Sequence, residues 1–545
     1  MKTKTLKRKM ALVLALVISL GVLSAGCSNN SKTSTSGTVA VSGKNEFPIT
    51  EEPVTLRIFA PKSIYMDDLA TNEFTKWFEE KTGVKVEMDY VSGDTRQAIN
   101  LKIASGDYGD IFMGFSFSRS EQMSYYKQGV FADMTQLVKD HGYYINEMLE
   151  ENPGYEEEMK LDGKILGLPN ATVDYSAVYS YVMWVYEPWL KKLNMDMPKT
   201  TDDFYEMLKA FRDNDLNGNG KKDEIPLAGR SLLGNPVGVD TYLLNAFGPY
   251  TAFGLWNDNG KAIFTSNTDE FKEGLIYMRK LYSEGLLHMD SFIMDRARIM
   301  SLAENETPIL GAAPAKWTTQ FTVAGSPTKR SEEYVAIAPL EGPNGTRQTL
   351  ESISGLGLSA FNITSTCKYP EVAMKWIDWF YSEEAYLKTI APIGTREAKD
   401  GELGLDGEQA LFAVDTVESD LPANQLQNER WLSYTPSYSP IEYSVKTAYN
   451  TADKVRSQNA YKAYALYKPY GTNAAMVDFP VPDESAAEYL ELRNAITTEV
   501  QSAIAAFVVG ERSIENDWDD YVKRLEQLNV KRYVEIAQEY LDTLK

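Results

Sequence analysis

The chain has 545 residues, 43% of them hydrophobic and 12% aromatic, more than one hydrophobic core ordinarily organises and unlike a disordered chain. Asp and Glu number 77 against 55 Lys and Arg, a formal net charge of −22, a poor match for nucleic acid or an anionic lipid surface. The two histidines, His141 and His288, leave His-rich zinc sites and most histidine acid–base schemes without material.

At the amino end, Lys2, Lys4, Lys7, Arg8 and Lys9 precede an apolar run over 10–22 and then Leu23-Ser24-Ala25-Gly26-Cys27. The run is too short for a confident membrane span. These residues resemble a bacterial lipoprotein signal, which implies that 1–26 are removed and that Cys27 becomes the acylated amino terminus. Ser24 departs from that pattern, which favours a large aliphatic residue three places before the cysteine; here Leu23 lies one step earlier. An ordinary cleaved signal with an incidental cysteine is the alternative. Removal of the five basic residues would take the net charge from −22 to −27. With Cys27 acylated, Cys367 has no partner for a disulfide. Residues 27–46, rich in Ser, Thr, Asn and Gly, read as a flexible tether, with the folded body beginning near Phe47.

From there Val54-Thr55-Leu56-Arg57-Ile58-Phe59 alternates as a half-buried strand, a helix is expected over 67–81, and Val84-Lys85-Val86-Glu87-Met88 alternates again after Gly83. A helix over 98–103 and a strand at Asp110-Ile111-Phe112-Met113 extend the series, implying a sheet covered by helices. Later helices are expected over 202–211, capped by Thr201 or Asp202, and over 269–285, 370–388 and 486–507. Trp376, Trp379 and Phe380 read as packing residues of the third, with Pro370 in its first turn. The stretch 393–440 carries few periodic signals and reads as binding loops near a cleft rim.

The sharpest local signal is Asp213-Asn214-Asp215-Leu216-Asn217-Gly218-Asn219-Gly220-Lys221-Lys222-Asp223-Glu224. Calcium requires six to eight oxygen ligands, and alternate side chains on a tightly turning loop deliver them to one point. Two registers fit. One runs from Asp213 to Glu224 as the helix-loop-helix pattern. The other uses Asp215, Asn217, Asn219, the Lys221 carbonyl, Asp223 and Glu224. A solvated Asn/Gly turn without metal is the alternative to both, and the site reads as structural rather than catalytic.

Taken in order, Phe78-Glu79-Glu80-Lys81-Thr82-Gly83-Val84-Lys85-Val86, Ala104-Ser105-Gly106-Asp107-Tyr108-Gly109-Asp110-Ile111, Gly167-Leu168-Pro169, Glu187-Pro188-Trp189-Leu190-Lys191-Lys192-Leu193 and Trp376-Ile377-Asp378-Trp379-Phe380-Tyr381-Ser382-Glu383-Glu384 resemble the family-1 extracellular solute-binding proteins of sugar importers, particularly the long Gram-positive lipoprotein branch. The resemblance implies an α/β fold with large helical content, the two-lobed periplasmic-binding-protein type II arrangement. It implies one lobe from 47–172 with about 318–390, and a second from 173–317 with about 391–545. Alginate-binding members carry a similar calcium loop, so the resemblance selects the register from Asp215, with Ca2+ as a structural cofactor. Val185-Tyr186-Glu187-Pro188 stands where the family usually has Arg-Lys-Asp, so no ligand role is carried over there.

The function implied is a non-enzymatic, monomeric, lipid-anchored protein on the outer face of the cell membrane, delivering a carbohydrate to the permease of an ABC importer. A sugar needs aromatic plates for its C–H faces and polar groups for its hydroxyl edges. Aromatics outside helical packing patterns are the candidates: Tyr175, Trp317, Trp431, Tyr434 and Tyr438, with Phe115 and Arg119 just past the strand ending near Met113. Rival readings are a secreted polysaccharide-active enzyme with paired carboxylates, for which the sequence offers no positive sign, and a surface sensor or peptide-binding lipoprotein of the same fold.

Overall fold

The computed structural model describes residues 39–543, except 63–67, 94, 173–174, 231–237, 324–325, 352–355, 416–430, 432–433, 452, 477–478, 480 and 482. Cys27 and the signal-like segment lie outside the described residues. Ten strands build the two main sheets. In chain order they are β1 (Val54–Pro61), β2 (Val84–Val91), β3 (Ile111–Phe117), β4 (Leu168–Thr172), β5 (Val182–Tyr186), β6 (Ile225–Leu227), β7 (Leu310–Ala315), β8 (Tyr334–Ile337), β9 (Leu356–Ile363) and β10 (Tyr438–Ser439).

The first sheet runs β10-β4-β9-β3-β1-β2, and the second runs β8-β5-β7-β6. The opening of β1 alternates buried and exposed as its sequence does. By contrast, β5 and β7 are buried at every position, as expected where helices cover both faces. Each sheet has its own hydrophobic core. One gathers Ile49 to Ala171 with Phe361 to Ala385, Trp431 and Tyr434. The other gathers Tyr179 to Leu340 with Ala463 to Leu541.

Local chemistry explains the helix ends. Asn72 caps Glu73–Thr82 by accepting the Thr75 amide at 2.8 Å, and Gly83 at φ 72 closes it; this helix starts later than the periodicity suggests because the cap sits at Asn72. The helix Thr201–Asp213 is capped one residue earlier than expected, by Thr200 in a capping box with Asp203. The expected 370–388 helix ends at Asp378 and continues as short turns. Trp376, Trp379 and Phe380 are fully packed in the first core.

Three expectations are corrected. Residues 39–46 do not behave as tether: Val39 and Val41 pack against the first core, and Lys375, itself 6% exposed, donates to the Ser42 carbonyl at 2.8 Å, the Ser42 hydroxyl at 3.0 Å and the Gly43 carbonyl. Residues 318–340 belong to the second core rather than the first, because β8 pairs with β5; Trp431 and Tyr434 belong to the first core rather than the second. Finally, the expected loop stretch 393–440 contains two strands, Thr395–Glu397 and Phe412–Val414, which form a small sheet with Thr447–Tyr449 beyond it, tied by Arg396 to Glu402 and Asp415 at 2.7 Å each.

Candidate functional site

Strand directions define the candidate site. In the first sheet β1, β3, β4 and β10 run parallel, and β9 runs against β3 and β4. Their carboxyl ends therefore share one edge with the start of β9. In the second sheet β6, β7 and β8 run against β5, so their carboxyl ends share one edge with the start of β5. The chain crosses from β4 to β5, from β8 to β9, and after β10 to the helix Asp453–Tyr467, whose Ala463 and Tyr467 sit in the second core. Every crossing thus joins the same pair of edges, which is where α/β sheets ordinarily receive ligands.

The crossings are lined with tyrosine. Tyr175 meets Tyr461 edge-on at 5.8 Å, and Tyr179 lies 5.7 Å from Tyr464 and 6.1 Å from Tyr467. The Tyr467 hydroxyl accepts the Met183 amide at 2.9 Å, fixing the start of β5. The helix carrying these tyrosines was missed by periodicity because its polar and apolar residues are mixed around the axis. Its one legible signal is the spacing of Tyr461, Tyr464 and Tyr467, which puts them on one side.

Among the aromatic residues singled out from sequence, Trp317 is at the surface. It follows β7 on the crossing edge, 36% exposed, with the Lys316 ammonium 4.2 Å from its ring centroid. Tyr175 is largely buried and donates its hydroxyl to the Ser457 carbonyl at 3.3 Å. Tyr438 is half-buried on β10 and donates to Glu151 at 2.7 Å. Arg119 is turned onto the carbonyls of Glu158 and Lys160, the latter at 2.9 Å.

Three candidates are corrected outright. Trp431, 1% exposed, donates from Nε1 to Thr75 at 2.8 Å and lies among Phe74, Trp376 and Phe380. Tyr434 covers Gly114, which has φ +76 and whose added Cβ would meet the ring at 3.1 Å. Phe115 packs on Phe59 and Phe112. All three are core residues.

The Asp215 loop sits at the opposite edge of the second sheet, since it leads into the start of β6. Asp213 ends the helix Thr201–Asp213 and pairs with Arg212 at 2.7 Å. Asp215 lies at the loop's centre instead, accepting the amides of Gly218, Asn219 and Gly220 at 2.8, 3.1 and 2.9 Å. Glu224, 7% exposed, accepts the Leu216 and Asn217 amides through Oε1 at 2.6 and 3.0 Å. Its Oε2 is buried without a hydrogen-bond partner, an expensive state for a carboxylate oxygen. The Asn217 and Asn219 amides hold the Asp223 carboxyl below the usual carboxylate range. Among the described residues no three His, Cys, Asp or Glu side chains converge as a metal cluster. The oxygen-rich loop and the orphaned Glu224 oxygen nonetheless fit a hard cation that takes amide and carbonyl ligands beside carboxylates.

The family model for bacterial extracellular solute-binding proteins matches residues 62–386, more than half of the chain. The chain belongs to that family. This solute-binding protein is 27% identical over 561 residues to the fructooligosaccharide ABC transporter substrate-binding protein FusA of Streptococcus pneumoniae, covering 99% of each chain. It is 28% identical over 419 residues to lipoprotein LipO of Bacillus subtilis, covering 74% of this chain and 76% of that one. Among solved structures, the human-milk-oligosaccharide-binding protein of Bifidobacterium longum infantis superposes with TM-score 0.72 at 21% identity, covering 90% and 98%. An EF-hand mutant of FusA in complex with fructo-nystose superposes with TM-score 0.65 at 24% identity, covering 90% and 99%. The fold is therefore the two-lobed α/β arrangement expected from the sequence. As a member of this family the protein binds a solute and is not an enzyme.

Proposed function

We propose that this protein captures an oligosaccharide outside the cell and presents it to an ABC importer. The observation that carries the reading is the pair of sheet edges joined by every crossing, with an exposed tryptophan at one of them. FusA, aligned along nearly its whole length, takes fructooligosaccharides, which supports a carbohydrate here. A ligand touching both edges favours a closed arrangement over an open one, so binding and hinge closure are linked.

Calcium at Asp215, Asn217, Asn219, the Lys221 carbonyl, Asp223 and Glu224 would brace the second sheet from the edge remote from the ligand. Cys27, acylated, would hold the protein at the outer membrane face, as the lipoprotein LipO supports. Titration of the purified protein with an oligosaccharide panel should alter tryptophan fluorescence. A flat response to all of them, with calcium present, would defeat the carbohydrate reading. Mass spectrometry of the protein from its host checks the anchor, since an unmodified mature amino terminus removes it.

A further inference from the structure

Gly471 has φ −62 and ψ 138, extended backbone that any residue adopts, so space rather than backbone strain is what a side chain would lack there. A Cβ on it would stand 2.7 Å from the Tyr179 hydroxyl, 2.9 Å from Tyr179 Cε1 and 2.7 Å from Glu351 Oε2. Those distances lie well inside ordinary contact between heavy atoms. The three residues come from three separate passages of the chain. Tyr179 lies on the crossing from β4 to β5 and Glu351 on the crossing from β8 to β9. Gly471 follows the helix Asp453–Tyr467, by which the third crossing enters the second core.

All three are fastened to the second lobe. Thr349 and Leu350 pair in parallel with Gly471 and Thr472, and the Glu351 amide donates to the Thr472 carbonyl at 2.9 Å. Just beyond, the Asn257 amide donates to the Ala474 carbonyl at 2.7 Å and the Met476 amide to the Leu255 carbonyl at 3.1 Å. Just before, the Tyr470 ring lies 4.2 Å from the Arg347 guanidinium, which donates to the Pro339 carbonyl at 2.7 Å. Tyr179 is 3% exposed within the second core, against Tyr464 and Tyr467. Burial and then the Glu351 carboxylate push its hydroxyl up to about 12, so it stays protonated beside that carboxylate. From Tyr179 and Glu351 the chain runs to β4 and β9, neighbours in the first sheet. Rotation of one lobe against another is absorbed by a few residues at such exits, and here two of the exits are wedged against one Cα.

We infer that Tyr179 and Glu351, seated together on Gly471, are positioning residues for solute binding, holding two crossings in one register so that the lobes close on the solute as a unit. This rests on the reading of a solute held between the two sheet edges and goes further by naming the seat about which they move.

The test combines fluorescence titration of the full mature chain with small-angle scattering, using fructo-, galacto- and galacturono-oligosaccharides at fixed calcium. Gly471→Ala should shift the radius of gyration of the unliganded chain and weaken the tightest-binding sugar about tenfold or more, as a smaller closure-competent population does. Glu351→Ala makes room for the new Cβ, so Gly471→Ala should cost at least about threefold less affinity in that background than in wild type. Tyr179→Phe keeps the ring on Tyr464 and Tyr467, and should shift the radius in a chain that folds normally. Wild-type radius and affinity in both Gly471→Ala and Tyr179→Phe would overturn the inference while leaving the carbohydrate reading intact. Weakened binding with the radius unchanged would also overturn it, making these residues ligand contacts. Shifted radii in a protein that binds none of the sugars would uphold the seat and defeat the carbohydrate reading alone.

Discussion

The crossing edges of the two sheets differ in what covers them. On the first, Trp431 and Tyr434 fill the core, and Tyr434 lies against Gly114 of β3. On the second, β6 and β7 end in Ala228 to Arg230 and Lys316 to Trp317, and Trp317 remains at the surface. Both tryptophans stand in stretches without helical periodicity. An aromatic residue near a strand end is thus no guide to ligand contact until one knows whether another segment has already claimed it.

The sharpest way to break this comparison is to truncate both. Trp431→Ala should cost about 3 to 5 kcal/mol in urea unfolding, as a large side chain lost from a packed core does. Trp317→Ala should change stability by no more than about 0.5 kcal/mol and lower ligand affinity instead. Equal stability losses would show that Trp317 is structural after all.

Calcium removal probes the far edge of the second sheet. With free calcium at about a hundredfold over Kd, the ion should contribute about 2.7 kcal/mol, read as a fall in melting temperature on adding EDTA. In Glu224→Ala the melting temperature should be the same with calcium and with EDTA. A calcium-dependent shift surviving in that variant would remove Glu224 from the ligand set.

On the first core, Lys375→Met should cost about 1 to 3 kcal/mol by leaving the Ser42 and Gly43 carbonyls short of a donor. Amide exchange over 42–46 should quicken while β1 stays protected. An unchanged exchange rate would mean that Val39 and Val41 hold the arm without Lys375.

The smallest effect concerns the surface sheet near the crossings. Hydrogen bonds from Arg396 pull the Glu402 carboxyl down to about 2. A depressed carboxyl contributes stability that is present above its unfolded value, about 4.3, and lost as pH falls toward the folded one. Between about pH 4.5 and 2, wild type should therefore lose more melting temperature than Arg396→Gln; parallel curves would show that the exposed network contributes nothing.

Much of the first sheet was legible because its chemistry is local. Alternation marks β1 and β2, and Gly83 marks the helix end between them. The loop from Asp215 to Glu224 was legible for the same reason, its oxygen-bearing side chains lying within ten residues of one another. What sequence reading missed depends on remote partners. The helix Asp453–Tyr467 has no clean apolar stripe, since it packs between crossings and touches several surfaces.

By itself the sequence determined that the chain builds helix-covered sheets and places an oxygen-rich turn before β6, because periodicity, caps and the spacing of oxygen-bearing side chains act over a few residues; kinship with solute-binding proteins was legible only as a resemblance of motifs taken in order. Only the tertiary structure decided which aromatic residues are core and where residues 318–340 belong. Those outcomes follow from strand direction and pairing between distant segments, and burial is a property of what lies on top of a residue rather than of the residue.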